Sequence, residues 1–333
     1  MKVIHQISGL SRHTRPVCLA VGFFDGVHLG HQEVLRQTRA RAREIGGEAW
    51  AMTFDPHPLK ILAPDSAPLL LTDTRHKLEL LRQFGMDGCL LVPFNHRFAS
   101  TPADVFLKKL ASGIPALHSI FMGNDWRFGH QGTGDSTMLS IWARSRNITV
   151  CQVPSIQNRN QAISSTRIRK SVSAGRLSGA ATLLGRPFSI LGTVIQGNRI
   201  GRKLGYPTAN LDPRNEAHPP TGVYAVQALV GRRAFPGIVN FGHHPTVARV
   251  ARPLLELHLF DTRIPLYRRR IEVFFLHRLR AEKKFPDLKA LARQIALDEQ
   301  DARRVLATPA MKNSWIKALQ RWHPEAIVRQ TNK

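Results

Sequence analysis

Residues 22–31 are Gly-Phe-Phe-Asp-Gly-Val-His-Leu-Gly-His, and they join two segments of different pattern. Residues 17–23 are mostly apolar and predict a buried strand, whereas residues 28–45 place apolar side chains at helical spacing among arginine, glutamine and glutamate. A strand, a glycine-containing turn and a helix N-terminus gather unpaired N–H groups at the positive end of the helix dipole. The stretch therefore predicts an anion site where the strand ends.

Two histidines make the chemistry of this site more specific. His28 and His31 are three residues apart, so both lie on one face of the first helical turn, and Gly26 and Gly30 leave room for a phosphate. The histidines could instead only pack in the turn, but their pairing between glycines after a strand favours phosphate chemistry. The P-loop and dinucleotide-binding patterns are absent from the sequence. The remaining pattern, H-x-G-H, is typical of nucleotidyltransferases.

The composition bounds the class of protein. A chain of 333 residues with 43% hydrophobic residues is long enough for two domains. No apolar run is long enough to span a bilayer, and residues 1–15 lack the apolar segment of a signal peptide. Cys18, Cys89 and Cys151 are far apart and fit neither a zinc site nor a disulfide framework. We therefore expect a cytoplasmic protein with no membrane association and no obligate protein partner.

The charge is unusual, because 48 Lys and Arg residues stand against 23 Asp and Glu, a formal net charge of +25. Such an excess is common in proteins that bind nucleic acids or anionic surfaces. The basic residues are scattered rather than interleaved with aromatic residues, so we interpret most of them as solvated surface. Weak, non-specific adhesion to nucleic acid at low salt is the corresponding expectation.

The first half of the chain alternates between strands and helices, which predicts a Rossmann-like α/β domain with a parallel sheet, helices on both faces and ligands at the carboxyl ends of the strands. The predicted strands are 17–23, 48–54, 88–93, 119–123 and 148–153, and the predicted helices lie near 28–45, 75–84, 102–112, 135–145 and 165–174.

The pattern changes near residues 180–190. Short strands with Gly and Pro turns follow, without helices between them, and they predict a small antiparallel β-barrel closed by a helix at 286–306. The predicted barrel strands are 190–195, 223–229, 234–240, 254–260 and 271–276. We expect domains at 1–183 and 184–307, followed by a basic tail, 308–333, that contains Trp315 and Trp322.

Two loops at predicted strand ends leave alternatives open. Residues 53–58, Thr-Phe-Asp-Pro-His-Pro, form a rigid loop that is either a ligand loop or a strand-ending turn. Residues 123–129, Gly-Asn-Asp-Trp-Arg-Phe-Gly, could direct polar side chains into a cleft or form a turn with a capping Asp.

Three later patterns also carry candidate chemistry. Residues 163–169, Ile-Ser-Ser-Thr-Arg-Ile-Arg, form either a second anion cradle or a capped surface helix. After Pro207, an extended chain would point Thr208 and Asn210 the same way, and their oxygens could share a magnesium ion with nucleotide phosphates. Residues 255–259 alternate leucine with Glu256 and His258, which leaves a carboxylate for general-base work; we interpret His258 as structural.

These motifs occur in the order found in the bacterial bifunctional riboflavin kinase/FAD synthetase family, which the chain resembles over roughly residues 15–305. The resemblance implies that the C-terminal barrel phosphorylates riboflavin to FMN with ATP and Mg²⁺. It implies that the N-terminal domain adenylylates FMN to FAD and releases pyrophosphate. A competing interpretation is a basic nucleic-acid-associated scaffold without turnover, and a closer one retains the kinase with a weakened adenylyltransferase.

The resemblance also assigns roles to individual residues. The catalytic residues are Glu256, as general base of the kinase, with His28 and His31. The residues that bind ATP and its phosphates are Gly22, Phe24, Asp25, Gly26, Gly30, Asn124, Ser165, Thr166, Arg169, Gly197, Gly201 and Arg202. The flavin-binding residues are His57, Phe94, Asn95, Asp125 and Phe128, and the metal ligands are Thr208 and Asn210. Phe94 or Phe98 could stack on the isoalloxazine ring or belong to the core.

The chain departs from the family pattern at three positions. Phe23 stands where the family commonly has Asn, His244 where it has Arg, and Arg268 where it has Gly.

Overall fold

The computed structural model describes residues 1–196, 201, 204–245, 251–262 and 264–328, which fold into two compact units. The first unit comprises Met1–Leu70 and Thr74–Thr166, and the second comprises Leu71–Asp73 and the chain from Arg167 onward. The domain boundary after residue 183 stays a prediction. In the described part of the chain, no helix has both the length and the apolar character that crossing a membrane requires.

The first unit is built on a parallel sheet of six strands. They are β1 (Lys2–Ile4), β2 (Val17–Val21), β3 (Glu48–Asp55), β4 (Gly88–Pro93), β5 (Leu117–Gly123) and β6 (Thr149–Val153). Their spatial order is β1-β4-β3-β2-β5-β6. The strand order reverses beside β2, so the crevice outside the carboxyl ends of β2 and β5 is the expected place for a ligand. All five predicted strands are present, and β1, which is short and partly exposed, adds a sixth.

Helices connect these strands and cover both faces of the sheet. They are α1 (Leu29–Glu44), α2 (Pro58–Leu62), α3 (Thr74–Gln83), α4 (His96–Ala99), α5 (Ala103–Gly113), α6 (Ser136–Arg144), α7 (Ser165–Ser173) and α8 (Leu177–Leu184). The helices named last, most of α7 and all of α8, already belong to the second unit. Leu19 and its alternate neighbours on β2 pack with side chains of α5 and α6. Cys18, on the opposite face, interacts electrostatically with Arg41 of α1, which packs on β2, β3 and β5. The predicted α/β fold is confirmed.

The second unit contains a closed antiparallel barrel. Its strands are β9 (Ser189–Ile195), β10 (Ala209–Pro213), β11 (Gly222–Val230), β12 (Arg233–Pro245), β13 (Ala251–Leu259) and β14 (Arg270–Arg280); β7 (Gln157–Asn158) and β8 (Gln161–Ala162) form a small hairpin in the first unit. The order is β11-β14-β9-β10-β13-β12, and β12 pairs back onto β11 to close the barrel. The five predicted strands are present. The sixth strand of the barrel is β10, which forms because the chain stays extended after Pro207.

A long helix, α9 (Leu288–Ala307), packs against the outer face of the barrel. Ile295, Ala302 and Leu306 of α9 contact a cluster that includes Val223 and Ile238. The predicted closing helix is therefore confirmed. Gly commonly occupies the position of Arg268 in the resembled family, and the backbone gives the reason: Arg268 has φ +62°, in the left-handed region that glycine enters without penalty.

The segment predicted as a basic tail is folded over most of its length. It forms α10 (Pro309–Trp322) and β15 (Ile327–Val328), and β15 pairs in parallel with the start of β12. Trp315 and Leu319 are buried against Leu229, Ala234 and Phe274 of the barrel. Both tryptophans of this basic segment have a packing role. Trp315 packs on the barrel, and the guanidinium carbon of Arg186 lies 4.7 Å from the ring centroid of Trp322.

We expect Trp315→Ala to lower the unfolding free energy of the second unit by about 3–5 kcal/mol, because it removes a buried indole whose centroid lies 4.8 Å from that of Phe274. The measurement is urea unfolding, scored by hydrogen exchange of the β11 amides. Leu297→Ala on the exposed side of α9 is the control and should change the free energy by less than about 0.5 kcal/mol. Equal, small effects of both variants would show that α10 does not stabilise the barrel.

Candidate functional sites

The turn after β2 has a backbone that few sequences adopt. Phe24, Gly26 and Val27 all have positive φ, at +51°, +77° and +38°. The strain is offset by burial, because Phe24 and Val27 are 1% and 0% exposed. A Cβ at Gly22 would lie 3.2 Å from ring atoms of Phe24. The buried Phe24 therefore shapes the turn, and its predicted role at ATP stays a prediction.

His28 and His31 form a stacked pair at the start of α1. The Nδ1 atom of His28 accepts a hydrogen bond from the backbone N–H of His31 at 3.3 Å, so His28 is the N-cap of the helix. The two rings stack with centroids 3.7 Å apart and planes 18° apart. A Cβ at Gly30 would lie 3.2 Å from the His28 imidazole. The H-x-G-H spacing thus has a structural reason: the glycine makes room for the capping ring.

This capping geometry determines the tautomer of His28. Because Nδ1 accepts the backbone hydrogen bond, a neutral His28 carries its proton on Nε2. The ring therefore presents a donor on the side away from the helix backbone. A donor placed at a helix N-terminus suits a phosphate oxygen.

The environment keeps His31 uncharged. Burial lowers the pKa of His31 well below its ordinary value of 6.5, and the neighbouring charges of His28 and Lys77 lower this pKa further. Lys77 on α3 is itself buried, and its Nζ donates to the Thr53 hydroxyl at 3.3 Å and to the Phe54 carbonyl at 3.2 Å. Lys77 was not predicted as a site residue, because a lysine on an amphipathic helix normally faces solvent.

The second motif of the first unit contacts the first. The Ser165 hydroxyl donates to the backbone carbonyl of Asp25 at 2.9 Å, and Asp25 is itself buried. A Cβ added at Gly30 would lie 3.8 Å from the backbone carbonyl oxygen of Ile163, so the segment before α7 is close to the start of α1. The start of α7, with Thr166 as its second residue, therefore adjoins the turn. The predicted roles of Ser165 and Thr166 are compatible with this placement, while that of Arg169, on the next turn of α7, stays a prediction.

An aromatic cavity of about 560 Å³ lies in the same unit. Its aromatic lining consists of Phe23, Phe54, Phe94, Phe98, Phe106, Trp126 and Phe128. Trp126 and Phe128 stack on each other with centroids 4.8 Å apart and planes 23° apart. Phe23 immediately follows Gly22, so the cavity adjoins the anion turn. The volume lies in the range of small-molecule sites, and flat aromatic walls suit a flat ring.

The residues predicted at the flavin divide into two groups. Phe94 and Phe128 line the cavity, together with Phe98. His57 and Asn95 instead cap short helices: His57 Nδ1 accepts from Leu59 N at 3.2 Å, and Asn95 Oδ1 accepts from Phe98 N at 2.8 Å. Asp125 is exposed on the loop after β5. Among the described residues, none of these three polar side chains is part of the cavity lining.

Phe23 and Trp126 are among the lining residues that were not predicted as site residues. Each stands directly beside a predicted one, at the carboxyl end of β2 or β5. Asn124 does not line the cavity; its backbone carbonyl accepts from Gln152 Nε2 at 3.2 Å. Aromatic residues next to strand ends are the signal that could have identified both.

In the second unit, three polar residues form a row across neighbouring strands. Asn210 on β10 pairs with Glu256 on β13, and Glu256 pairs with Asn240 on β12. Residues directly opposite each other in a ladder point to the same face. Asn240 Nδ2 donates to a carboxylate oxygen of Glu256 at 3.4 Å. Leu255 and Leu257, on the other face of β13, are buried, so the predicted alternation of this strand is confirmed.

The predicted metal ligands offer oxygen atoms of the appropriate type. Asn210 Oδ1 is buried and has no hydrogen-bond partner within the described part of the chain. Thr208 is exposed two residues earlier, and a Cβ at Gly201 would lie 3.0 Å from its hydroxyl oxygen. Neutral oxygens suit a hard cation that takes its remaining ligands from phosphates and water. Gly197 and Arg202 lie outside the described residues, as does the side chain of His244.

The lowered pKa of His31 makes a prediction about acid stability. The folded protein holds His31 neutral, whereas the unfolded chain binds a proton below about pH 6.5, so the first unit should lose stability as the pH falls from 6.5. The slope should reach at most about 1.4 kcal/mol per pH unit from this residue. His31→Gln should flatten it, as measured by urea unfolding with hydrogen exchange of the β2 amides.

His5→Gln, at an exposed histidine, is the matched control and should leave that slope unchanged. The interpretation fails if His31→Gln and His5→Gln give the same pH dependence.

Comparison with known proteins places the chain in a family. A FAD synthetase family model matches residues 10–167 and a riboflavin kinase family model matches residues 184–306. The bifunctional riboflavin kinase/FMN adenylyltransferase of Escherichia coli K12 is 38% identical over 305 residues, covering 91% of this chain and 97% of the relative. The protein of the same name from Pseudomonas fluorescens is 35% identical over 311 residues, covering 93% and 99%.

A solved structure from Streptococcus pneumoniae, described as a macrolide-efflux protein, aligns with a TM-score of 0.77 at 28% identity, covering 90% of this chain and 98% of its own. The two domain models and the full-length relatives agree with the order of the motifs described above. This chain belongs to the bifunctional riboflavin kinase/FMN adenylyltransferase family.

Proposed function

We propose that this chain converts riboflavin to FMN in its second unit and FMN to FAD in its first, with ATP as the co-substrate of both reactions. The observation that carries the first-unit assignment is that an anion turn with two histidines adjoins an aromatic cavity of about 560 Å³. An FMN molecule has these two parts, a flat ring system and a phosphate.

In the adenylylation, an oxygen of the FMN phosphate attacks the α-phosphorus of ATP, a new P–O–P linkage forms, and pyrophosphate leaves. Negative charge grows on the phosphate oxygens, so the reaction needs fixed donors rather than a covalent intermediate. The Nε2 of His28 and the start of α1 supply such donors. Lys77 adds a buried positive charge behind His31 and helps to keep that ring neutral.

In the kinase reaction, the 5′-hydroxyl of riboflavin attacks the γ-phosphorus of ATP, the bond to the bridging oxygen of the β-phosphate breaks, ADP leaves, and Glu256 accepts the hydroxyl proton. The hydrogen bond from Asn240 orients the Glu256 carboxylate. The buried, unpartnered Asn210 Oδ1 and the Thr208 hydroxyl would hold Mg²⁺ together with the nucleotide phosphates. The bound ion would neutralise phosphate charge; the protein residues position the hydroxyl and remove its proton.

The remaining expectations have weaker support. A cytoplasmic location agrees with the three free cysteines. Adhesion to nucleic acid rests only on the +25 charge and stays a prediction. Phe23 is the observation that favours a second candidate, a kinase with slow adenylylation, because its ring is 40% exposed between turn and cavity where the family commonly has Asn.

The two sites predict separable activities. His28→Ala should reduce FAD formation from FMN by at least about 100-fold and leave FMN formation from riboflavin within about twofold. Glu256→Gln should do the reverse, with FMN supplied for the second reaction. The measurement is chromatographic separation of flavins after incubation with ATP and Mg²⁺.

Each variant serves as the folding control for the other activity. Loss of both activities in a variant with an unchanged melting temperature would rule out the two-site model. Kinase activity without FAD formation in the unaltered protein would favour the second candidate, and Phe23→Asn would then be expected to raise FAD formation.

The cavity predicts how flavin affinity depends on Trp126. Trp126→Ala should raise the KM for FMN in adenylylation by about 2- to 10-fold, because it removes one flat wall of the cavity. Trp126→Phe should retain most of the affinity. The KM for riboflavin in the kinase reaction of the same protein is the internal control, and an equal rise there would contradict the assignment of the cavity.

A further inference from the structure

His258 lies on the outward face of β13, two residues beyond Glu256, and its side chain is only 11% exposed. Its Nδ1 lies 2.9 Å from the backbone carbonyl of Pro207. A carbonyl only accepts, so Nδ1 must be the protonated ring nitrogen in this contact. The bonded carbonyl belongs to the peptide group that joins Pro207 to Thr208, and the histidine therefore contacts the backbone at a predicted metal ligand.

The backbone at Pro207 and Thr208 needs such a contact. The ladder between β10 and β13 pairs Leu211, Asn210 and Ala209 with Leu255, Glu256 and Leu257, and it ends there. Thr208 would be next in register, opposite His258, but it lies beyond the last paired residue. Pro207 has no N–H, so its carbonyl is the one backbone group with which it can form a hydrogen bond. The His258 side chain supplies a hydrogen bond to the Pro207 carbonyl just beyond the last paired residues of the ladder.

The other side of the His258 ring faces α9. Its Nε2 lies 3.8 Å from a carboxylate oxygen of Glu299. Glu299 accepts two hydrogen bonds from Arg303, at 2.9 and 2.6 Å, and Arg303 also donates to both carboxylate oxygens of Asp261 at 2.8 Å. The Arg303 guanidinium covers the ring of Phe260 at 4.5 Å. Arg303 thus fixes Glu299 beside the ring of His258, whose hydrogen bond goes to the Pro207 carbonyl.

We propose that His258 is a positioning residue of the kinase site, which fixes the Pro207–Thr208 peptide so that the Thr208 hydroxyl is held ready for the nucleotide-bound cation. The inference rests on the proposed role of Thr208. On this interpretation, α9 covers the side of the ring that faces away from Pro207, where Glu299 lies near Nε2. The simpler alternative is that His258 only fills space between helix and barrel.

Two substitutions separate these interpretations. His258→Phe keeps an aromatic ring of similar size and removes the donor, whereas His258→Asn places an amide donor near the position of Nδ1 but removes ring volume. If His258 positions Thr208, His258→Phe should raise the Mg²⁺ concentration for half-maximal FMN formation by about 3- to 10-fold, the range of a single hydrogen bond. His258→Asn should recover most of that loss. FAD formation from supplied FMN should stay within about twofold in both.

A binding measurement provides a readout that does not depend on turnover. Mg²⁺ is titrated calorimetrically into the full-length protein at saturating ADP, for the unaltered chain, His258→Phe, Thr208→Ala and the double variant. Since both substitutions lie in the second unit, differences between these proteins report on its site. We expect the two single variants to weaken Mg²⁺ binding by similar factors and the double variant to be little weaker than either.

Each other outcome overturns the inference. Weak Mg²⁺ binding in Thr208→Ala with normal binding in His258→Phe removes the role of His258 and leaves the proposed function intact. Normal binding in Thr208→Ala refutes the proposed metal role of Thr208, and the inference falls with it. Equal losses in His258→Phe and His258→Asn, or a parallel loss of FAD formation, would show that His258 only supports the packing.

Discussion

The hydrogen bond from the His31 N–H to the His28 ring organises the first unit. It starts α1, and it fixes which nitrogen of His28 carries the proton. It also explains Gly30, whose missing side chain leaves space for the ring. Ser, Thr, Asp or Asn would cap the helix as well, but an Asp carboxylate cannot donate, and the side chains of the other three are shorter than an imidazole. An imidazole caps with one nitrogen and keeps the other as a donor for a ligand.

Both reactions require that the negative charge of phosphate groups be stabilised, and the two units differ in the residues that they offer for this. The proposed site of the first unit lies at the edge of a parallel sheet, where a helix start, the Nε2 donor of His28 and a buried lysine come together. The proposed site of the second unit lies on the outer face of a barrel, where polar side chains of three neighbouring strands form one row. The row contributes an acid–base group and neutral oxygens rather than positive charge, so its phosphate chemistry relies on a cation. The difference is consistent with a reaction at the α-phosphate in one unit and at the γ-phosphate in the other.

Much of the fold could be predicted from the sequence, because hydrophobic periodicity identified the buried strands and the helices between them. The motifs predicted two sites, since the chemistry of glycine, histidine and paired polar residues is local, and the structure gathers the residues of each motif in one place. Long-range contacts could not be predicted: Lys77 has the pattern of a solvated lysine, and only the folded chain places it beside His31. His57 and Asn95 cap short helices, with backbone N–H groups two or three residues away as donors, and their predicted contacts with flavin stay predictions. Trp315 showed that a basic composition alone does not make a segment a tail.

The docking of α10 on the barrel has a practical consequence for dissecting the protein. The riboflavin kinase family model ends at residue 306, so a fragment cut at that limit would contain every strand of the closed barrel. It would also uncover Leu229, Ala234 and Phe274, which α10 otherwise hides, and it would free the edge of β12 that pairs with β15. An apolar patch next to an open strand edge is a site for self-association. A fragment that is to stay monomeric in solution should therefore extend through residue 328.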